Sequence, residues 1–226
     1  MLLQSGRFGS ATFDPLTLNP YLWFDFSDAA TVTIATGISQ INDKSGNSRH
    51  ATQGTGAKQP AYATSAINGL NASSWNGTSM SLNVASVTLA QPYTIFAVAK
   101  GVAADTLQRN IVSDVVASAG WLYKIAASKV WALYAGSSFG AGVTDNGNTH
   151  VFAAEFNGAS SELRIDTTTS VTGNPGSGAY SSGTFRIGGE SQFWNGYICE
   201  VLLCTTPSTT LRDQYIAALM TKWGVA

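Results

Sequence analysis

Residues 195–225 place the strongest constraint on the fold of this chain. Residues 197–205 are almost continuously apolar and rich in β-branched side chains, as in a strand that is covered on both faces. Pro207 ends this strand, and Ser208 supplies a hydroxyl suited to cap a helix. Large apolar side chains then recur at four-residue steps and form one stripe of a helix, at Leu211, Tyr215, Leu219 and Trp223. We therefore predict a buried strand and a single terminal helix that closes one side of a sheet.

The rest of the chain consists of strand-sized segments separated by turns. Residues 21–26 have the alternation of a strand, and residues 93–100 are apolar on both faces, which predicts a central strand. Residues 121–126 and 130–134 are separated by three residues, which predicts a hairpin. Residues 167–183 are rich in Thr, Ser and Gly, and we expect them to form a long loop.

The number and type of these segments predict the fold class. Roughly a dozen short strands and one helix favour an all-β fold, a two-sheet antiparallel jelly-roll sandwich with one C-terminal helix. A chain of 226 residues is long enough for one core. Residues 1–19 have no sustained period and contain two Gly and one Pro. We predict that residues 1–19 are a docking arm and that residues 20–226 form one sandwich domain.

Composition argues against several classes of partner. Charged residues make up only 11% of the chain, the formal net charge is −1, and Lys and Arg form no run, so no nucleic-acid partner is expected. No window approaches the roughly 20 apolar residues of a membrane span, and the first ten residues lack the apolar segment of a secretion signal. We therefore expect synthesis in a cytosol and no membrane insertion.

Cys199 and Cys204 are the only cysteines. They lie five residues apart in one strand, so in a regular strand their side chains point to opposite faces and cannot bridge each other. We expect both to fill the core in a reducing compartment.

Residues 42–53 contain a loop that the sequence predicts to hold one shape. Gly46 can adopt a positive φ, while Asp43, Ser45 and Asn47 can hydrogen-bond the local backbone, and His50 can pin the loop. Oxygen atoms of this loop could also coordinate calcium, but one carboxylate is too few for a cation that takes six to eight oxygens. We therefore favour a structural loop without a metal or other cofactor.

Three motifs in this chain carry a resemblance to a known family. They are D-K-S-G-N-x-x-H-A at residues 43–51, F-W-N-G at residues 193–196 and K-W-G at residues 222–224. Together they bracket residues 21–225. In these motifs the chain resembles concanavalin A-like, laminin-G-like jelly-roll domains, in particular those of phage structural proteins and bacterial surface proteins. The resemblance implies two antiparallel sheets packed face to face, with the first and last strands adjacent.

The resemblance also implies a function. We expect a bacteriophage virion component, a head decoration protein or a tail or fibre subunit, that is made in the host cytoplasm and attaches to other virion subunits through residues 1–19. Homo-oligomers are expected, and weak binding of cell-surface glycans is compatible with this function. The alternative is a carbohydrate-binding adhesin module on a bacterial surface or secreted from it.

Sugar-cleaving enzymes share the sandwich of this family, and they need two acids that flank the glycosidic bond. The one candidate is the segment E-L-R-I-D, where Glu162, Arg164 and Asp166 share a face of the predicted strand. The middle residue is cationic, so we predict an ion-paired strand face and no catalytic residues. His50 and His150 are the only histidines, and neither lies in a zinc, nucleophile or phosphate motif. We expect the protein not to be an enzyme.

Aromatic residues remain as candidates for binding. Neutral sugars are bound by stacking on flat rings together with hydrogen bonds from amides and hydroxyls. Trp121, Tyr123, Trp131 and Tyr134 lie on the predicted hairpin, where some rings face outward if the others face inward. These four residues are the predicted glycan-binding residues, and the alternative is that most of them fill the core.

Overall fold

The computed structural model describes residues 13–114, 119–167 and 169–226, except for the side chain of Ser182. Within these ranges the chain forms 17 β-strands and one α-helix, and the strands make two antiparallel sheets that pack face to face. The predicted two-sheet sandwich with one C-terminal helix is confirmed. Its strands outnumber the dozen expected, because several of them are only two to four residues long.

The first sheet has eight strands. Seven follow each other across the sheet in the order β15 (Thr169–Gly173), β14 (Ser161–Ile165), β13 (Thr149–Phe156), β8 (Tyr93–Gly101), β17 (Asn195–Thr205), β6 (Leu70–Asn76) and β5 (Ala61–Ile67), and β1 (Leu22–Asp25) pairs with β17.

The second sheet has nine strands. Their order is β12 (Ser138–Thr144), β11 (Val130–Tyr134), β10 (Trp121–Lys124), β9 (Arg109–Asp114), β16 (Tyr180–Ile187), β7 (Leu82–Leu89), β4 (Ala51–Thr52), β3 (Ile38–Ile41) and β2 (Val32–Ile34).

The first and last strands are neighbours, as the resemblance implied. Leu22 pairs with Leu203 and Asp25 pairs with Glu200 in antiparallel register. Residues of β1 alternate between two cores: Phe24 lies in the core between the sheets, and Trp23 lies in a second core under the helix. The eight-stranded sheet is therefore covered on both faces, which explains why β17 is so apolar.

The helix α1 (Thr209–Trp223) covers the outer face of the eight-stranded sheet. The Ser208 hydroxyl caps it by accepting a hydrogen bond from the Leu211 N–H, and Gly224 ends it at a φ of 66°. The predicted stripe faces the sheet, since Tyr215, Leu219 and Trp223 are each at most 2% exposed. The prediction for this segment is confirmed.

A buried carboxylate joins the two ends of the chain beneath this helix. Glu200 of β17 is 2% exposed and accepts hydrogen bonds from Trp23 Nε1 at 2.8 Å and Tyr215 Oη at 2.9 Å through one oxygen. Its other oxygen accepts from Lys222 Nζ at 2.7 Å and Trp223 Nε1 at 3.1 Å. One side chain thus links β1, β17 and α1.

Asp25 is paired with Glu200 across β1 and β17, and the Lys222 ammonium group contacts both carboxylates. Lys222 Nζ lies 2.9 Å from the Asp25 carboxylate. Burial acts to raise the pKa of Asp25, but Lys222, the Ser27 hydroxyl and Lys44 together hold that pKa below its ordinary value. For Lys222, burial acts to lower the pKa, and the two carboxylates raise it above the ordinary value.

Two expectations about local structure are wrong. Cys199 and Cys204 both lie in the core under the helix, because the pairing of β17 with β8 shifts by one residue between Ile198 and Glu200 and reverses the alternation. Both remain free thiols. The predicted loop over residues 167–183 contains β15 and the start of β16, since Ser and Thr side chains suit the exposed edge strand that β15 forms beside β14.

Part of the predicted arm packs against the sandwich. The Phe13 ring stacks on Tyr215 with centroids 5.3 Å apart, Pro15–Leu18 form a short 3₁₀ helix, and Leu18 is 4% exposed. Residues 1–12 lie outside the described residues. The docking role of residues 1–19 stays a prediction.

Candidate functional site

The hairpin of β10 and β11 presents an aromatic pair on the outer face of the nine-stranded sheet. Trp121 and Tyr134 are directly paired across the two strands, and their ring centroids lie 4.9 Å apart. Their neighbours Leu122 and Leu133 are fully buried in the core between the sheets. Because side chains alternate along a strand, Trp121 and Tyr134 point away from that core. Both are half-buried, so part of each ring faces solvent.

The exposed part of Trp121 is apolar. Its Nε1 atom is buried and has no hydrogen-bond partner within the described parts of the chain. The surface that the ring shows to solvent is therefore carbon, which is the surface that stacks on the C–H face of a sugar.

Tyr123 lies on the same face and supports the pair. It is 5% exposed, its ring centroid is 6.3 Å from that of Trp121, and its hydroxyl is 2.6 Å from Ser138 Oγ. Burial raises the pKa of Tyr123 and outweighs the opposing hydrogen bond from Ser138, so the phenol stays neutral at physiological pH. Tyr123 positions the neighbouring rings more than it offers contact area.

Trp131 lies on the opposite face of the hairpin. It is fully buried between the sheets, with ring centroids 4.8 Å from Phe152 and 5.9 Å from Trp194. Of the four predicted glycan-binding residues, the structure therefore brings together Trp121, Tyr123 and Tyr134 on the outer side of the sheet, where Tyr123 is buried, and places Trp131 in the core.

An arginine, which the sequence interpretation did not single out, extends this face of the sheet. Arg186 of β16 points outward because Phe185 and Ile187 on either side of it are in the core. Its Nε donates to Asn83 Oδ1 of β7 at 2.7 Å, and its Nη1 lies 3.0 Å from Glu190 Oε2. The alternation of the segment T-F-R-I predicts an outward arginine, but nothing in the sequence places it beside the aromatic hairpin.

These side chains form one row across five strands. Arg186 is paired with Ser113 of β9, and extending the register of β9 with β10 by one residue places Ser113 beside Trp121. Ser113 is 1% exposed, so neighbouring groups cover it. We call this set the outer row; it consists of Tyr134, Trp121, Ser113, Arg186 and Asn83.

The loop at residues 43–51 is held by its own polar groups. Asp43 is 9% exposed, and its carboxylate accepts from the backbone N–H groups of Trp23 at 2.9 Å and Ser45 at 2.9 Å and from the Ser45 hydroxyl at 2.7 Å. His50 Nδ1 accepts from the Asp43 N–H at 3.1 Å, and Asn47 donates to the backbone just before β1. The carboxylate oxygens are thus engaged by the chain itself.

The E-L-R-I-D segment does not bring two acids together. Glu162 faces α1, where Arg212 Nη1 lies 2.6 Å from its carboxylate. Asp166 lies beyond β14 at a φ of 55° and accepts from the Val151 N–H at 2.8 Å, and its other oxygen is 2.8 Å from His150 Nδ1. The predicted ion-paired face holds for Glu162 and Arg164, whose side chains lie 3.8 Å apart toward the helix. The prediction is wrong for Asp166, because the strand ends at Ile165.

Among residues 13–114, 119–167 and 169–226, no group of three or more His, Cys, Asp or Glu side chains is arranged to hold a metal ion. No helix in the described part of the chain has the length and apolar character needed to cross a bilayer.

No protein-family model and no curated protein sequence matches this chain, whereas solved structures do. Domain 4 of AbnA, a GH43 extracellular arabinanase from Geobacillus stearothermophilus, in complex with arabinotriose, matches with a TM-score of 0.62 at 14% identity, over 87% of this chain and 97% of that domain. The binding domain of Paraclostridial Mosquitocidal Protein 1 matches with a TM-score of 0.60 at 12% identity, over 90% of this chain and 53% of its own length.

Trypanosoma rangeli sialidase in complex with sialic acid matches with a TM-score of 0.57 at 10% identity, over 89% of this chain. This chain spans 33% of the sialidase and about half of the toxin binding domain. At such identities the likeness shows the fold alone, a β-sandwich. The chain thus shares its fold with a domain that was solved with a bound oligosaccharide.

Proposed function

We propose that the protein is a carbohydrate-binding module whose site is the outer row, and that it binds glycans without catalysis and without a cofactor. The observation that carries the proposal is the outward-facing Trp121–Tyr134 pair, with centroids 4.9 Å apart, set beside polar side chains that can hydrogen-bond a sugar. This proposal takes up the adhesin alternative of the sequence interpretation.

A sugar ring has an apolar C–H face and a rim of hydroxyls, so it is recognised by a flat aromatic surface and nearby amide or guanidinium groups. The outer row supplies the carbon surface of Trp121 and, across Ser113, the Arg186–Asn83 pair. Arabinotriose bound to domain 4 of the arabinanase supports a glycan ligand for this fold.

Catalysis is not proposed because the geometry favours other functions for the acids. Glycoside cleavage requires two carboxyl groups facing each other across the bond. Glu162 is ion-paired with Arg212 on the helix side, and Asp166 is bonded to His150 and the backbone.

Native affinity electrophoresis tests the proposal. Gels containing arabinan, β-glucan, mannan or polygalacturonate should retard the wild-type chain in at least one case, and Trp121→Ala or Tyr134→Ala should remove the retardation. Tyr62→Ala is the matched control, since Tyr62 is a half-buried tyrosine on a strand of the other sheet. Retardation that survives Trp121→Ala and Tyr134→Ala would refute the site.

A place in a bacteriophage virion stays a prediction from the sequence motifs, as do homo-oligomers and attachment through residues 1–19. Mass spectrometry of purified particles tests this prediction, and particles without the protein would contradict it. Deleting residues 1–12 tests attachment with less risk to the fold than deleting residues 1–19, because Phe13 and Leu18 pack against the sandwich.

A further inference from the structure

We infer that the glycan bound by the outer row carries an acidic group, which Arg186 holds while a sugar ring stacks on Trp121. This inference rests on the proposed function and assigns a ligand class to the same site.

The fold fixes the orientation of the Arg186 side chain but leaves some of its N–H donors without a hydrogen bond. Its side chain is 14% exposed and is fixed by the bond from Nε to Asn83 Oδ1. A guanidinium has five N–H donors and stays protonated. Nε donates to Asn83, and Nη1 forms an ion pair with Glu190 that lacks the geometry of a hydrogen bond. The donors on the two Nη atoms form no hydrogen bond within the described residues. A fixed, charged group with free donors matches the oxygens of a carboxylate or sulfate.

Glu190 shows that a carboxylate fits against this guanidinium. Its side chain is 53% exposed, and it approaches Arg186 at 3.0 Å from four residues further along the chain. Exposed ion pairs of this kind contribute little to stability, so an acidic group on a ligand can take the place of Glu190 at small cost. We interpret Glu190 as an internal competitor for the site.

The distance between Trp121 and Arg186 suits the binding of one saccharide chain to both. Trp121 and Arg186 lie on the same face on strands separated by β9, and two strand spacings are about 10 Å. Ser113 between them is small and buried, so nothing from the strand itself stands between ring and guanidinium. Lys124 of β10 lies opposite Trp131 on the core side of the sheet, 3.1 Å from Asp145, so it does not compete with Arg186 on the outer face.

A matched pair of polysaccharides tests the inference. Polygalacturonate and its methyl ester differ in the charge of the carboxyl group, and dextran sulfate offers a sulfate instead. We expect wild-type protein to bind polygalacturonate about tenfold more tightly than the ester, as one charge-assisted hydrogen bond predicts. Arg186→Gln should abolish this preference while leaving the weaker binding of the ester.

Glu190 provides the second arm of the test. Glu190→Gln should tighten binding of polygalacturonate by about two- to fivefold, because it removes an exposed competitor. Asp213→Asn is the control for a general change of charge, since Asp213 is a 46% exposed acid paired with arginines on the helix side. Asp213→Asn should leave the affinity unchanged.

The outcomes distinguish the preference for an acidic glycan from glycan binding itself. Equal binding of acid and ester that Trp121→Ala removes and Arg186→Gln does not would overturn the inference and leave the proposed function standing. Binding of none of these polysaccharides, nor of arabinan, β-glucan or mannan, would count against the proposed function itself. Arg186-dependent binding of dextran sulfate alone would support the inference with sulfate as the acidic group.

Discussion

Replacing Glu200 with Gln is the sharpest test of how the two ends of the chain are joined. The four hydrogen bonds to Glu200 come from β1 and α1 at 2.7–3.1 Å, and the carboxylate is 2% exposed. Gln keeps the volume but has one acceptor oxygen, so two of the four donors lose their partner and Lys222 loses one of its two carboxylates.

The magnitude follows from the type of bond that is lost. Breaking a buried charge pair costs about 3–5 kcal/mol, and the retained contact between Lys222 and Asp25 argues for the lower end, about 3 kcal/mol. For a chain of this length, that loss of free energy of unfolding lowers the melting temperature by about 6–12 °C. The Gln side chain cannot move to recover the lost hydrogen bonds, since it is enclosed by Trp23, Tyr215 and Trp223.

Urea denaturation followed by tryptophan fluorescence measures this effect. The midpoint should fall in Glu200→Gln without a change in the dependence on urea concentration, as expected when native stability alone is altered. Glu190→Gln is the control, because an exposed acid should change the free energy of unfolding by no more than about 0.5 kcal/mol. A loss below about 1 kcal/mol in Glu200→Gln would refute the assigned role of this carboxylate.

Three other predictions concern stability and reactivity. Because the fold lowers the pKa of Asp25, the contribution of its carboxylate to the free energy of unfolding is present above the ordinary value of 3.8 and is lost as pH falls through the lowered value. Asp25→Asn should therefore be less stable than wild type in urea denaturation at pH 7. The difference in free energy of unfolding between the two proteins should narrow below pH 3.8. Burial raises the pKa of Cys204 to about 12, so a thiol reagent at pH 8 should label neither cysteine until urea unfolds the chain. Gly188→Ala should lower the melting temperature in calorimetry, since Gly188 has a φ of 86° and an added Cβ would overlap the ring of Trp75; an unchanged value would contradict this.

Periodicity in the sequence predicted those elements in which apolar side chains recur at a regular spacing and are buried. The stripe from Leu211 to Trp223 and the alternation of residues 21–26 each follow from burial alone, and both were confirmed. Where the period changes within an element, the prediction was wrong. The two cysteines share a face because of a one-residue irregularity in β17, which no local pattern reveals.

The candidate site could be predicted only in part. Alternation on the hairpin separates Trp131 from Tyr134, but it does not say which of the two faces the core. That choice depends on the sheet opposite, where Phe152 and Trp194 enclose Trp131. Arg186 meets Asn83 from 103 residues away, a pairing set by the order of strands in the sheet and not by any local signal.

Nuclear magnetic resonance of the labelled chain tests the central claim most directly, by following the six tryptophan indole signals during titration with trigalacturonate and with arabinotriose. We predict that the Trp121 signal shifts with at least one of these sugars, while those of Trp23 and Trp223 under the helix stay in place. Shifts confined to Trp23 and Trp223, or no shift of any indole with either sugar, would contradict a glycan site on the outer row.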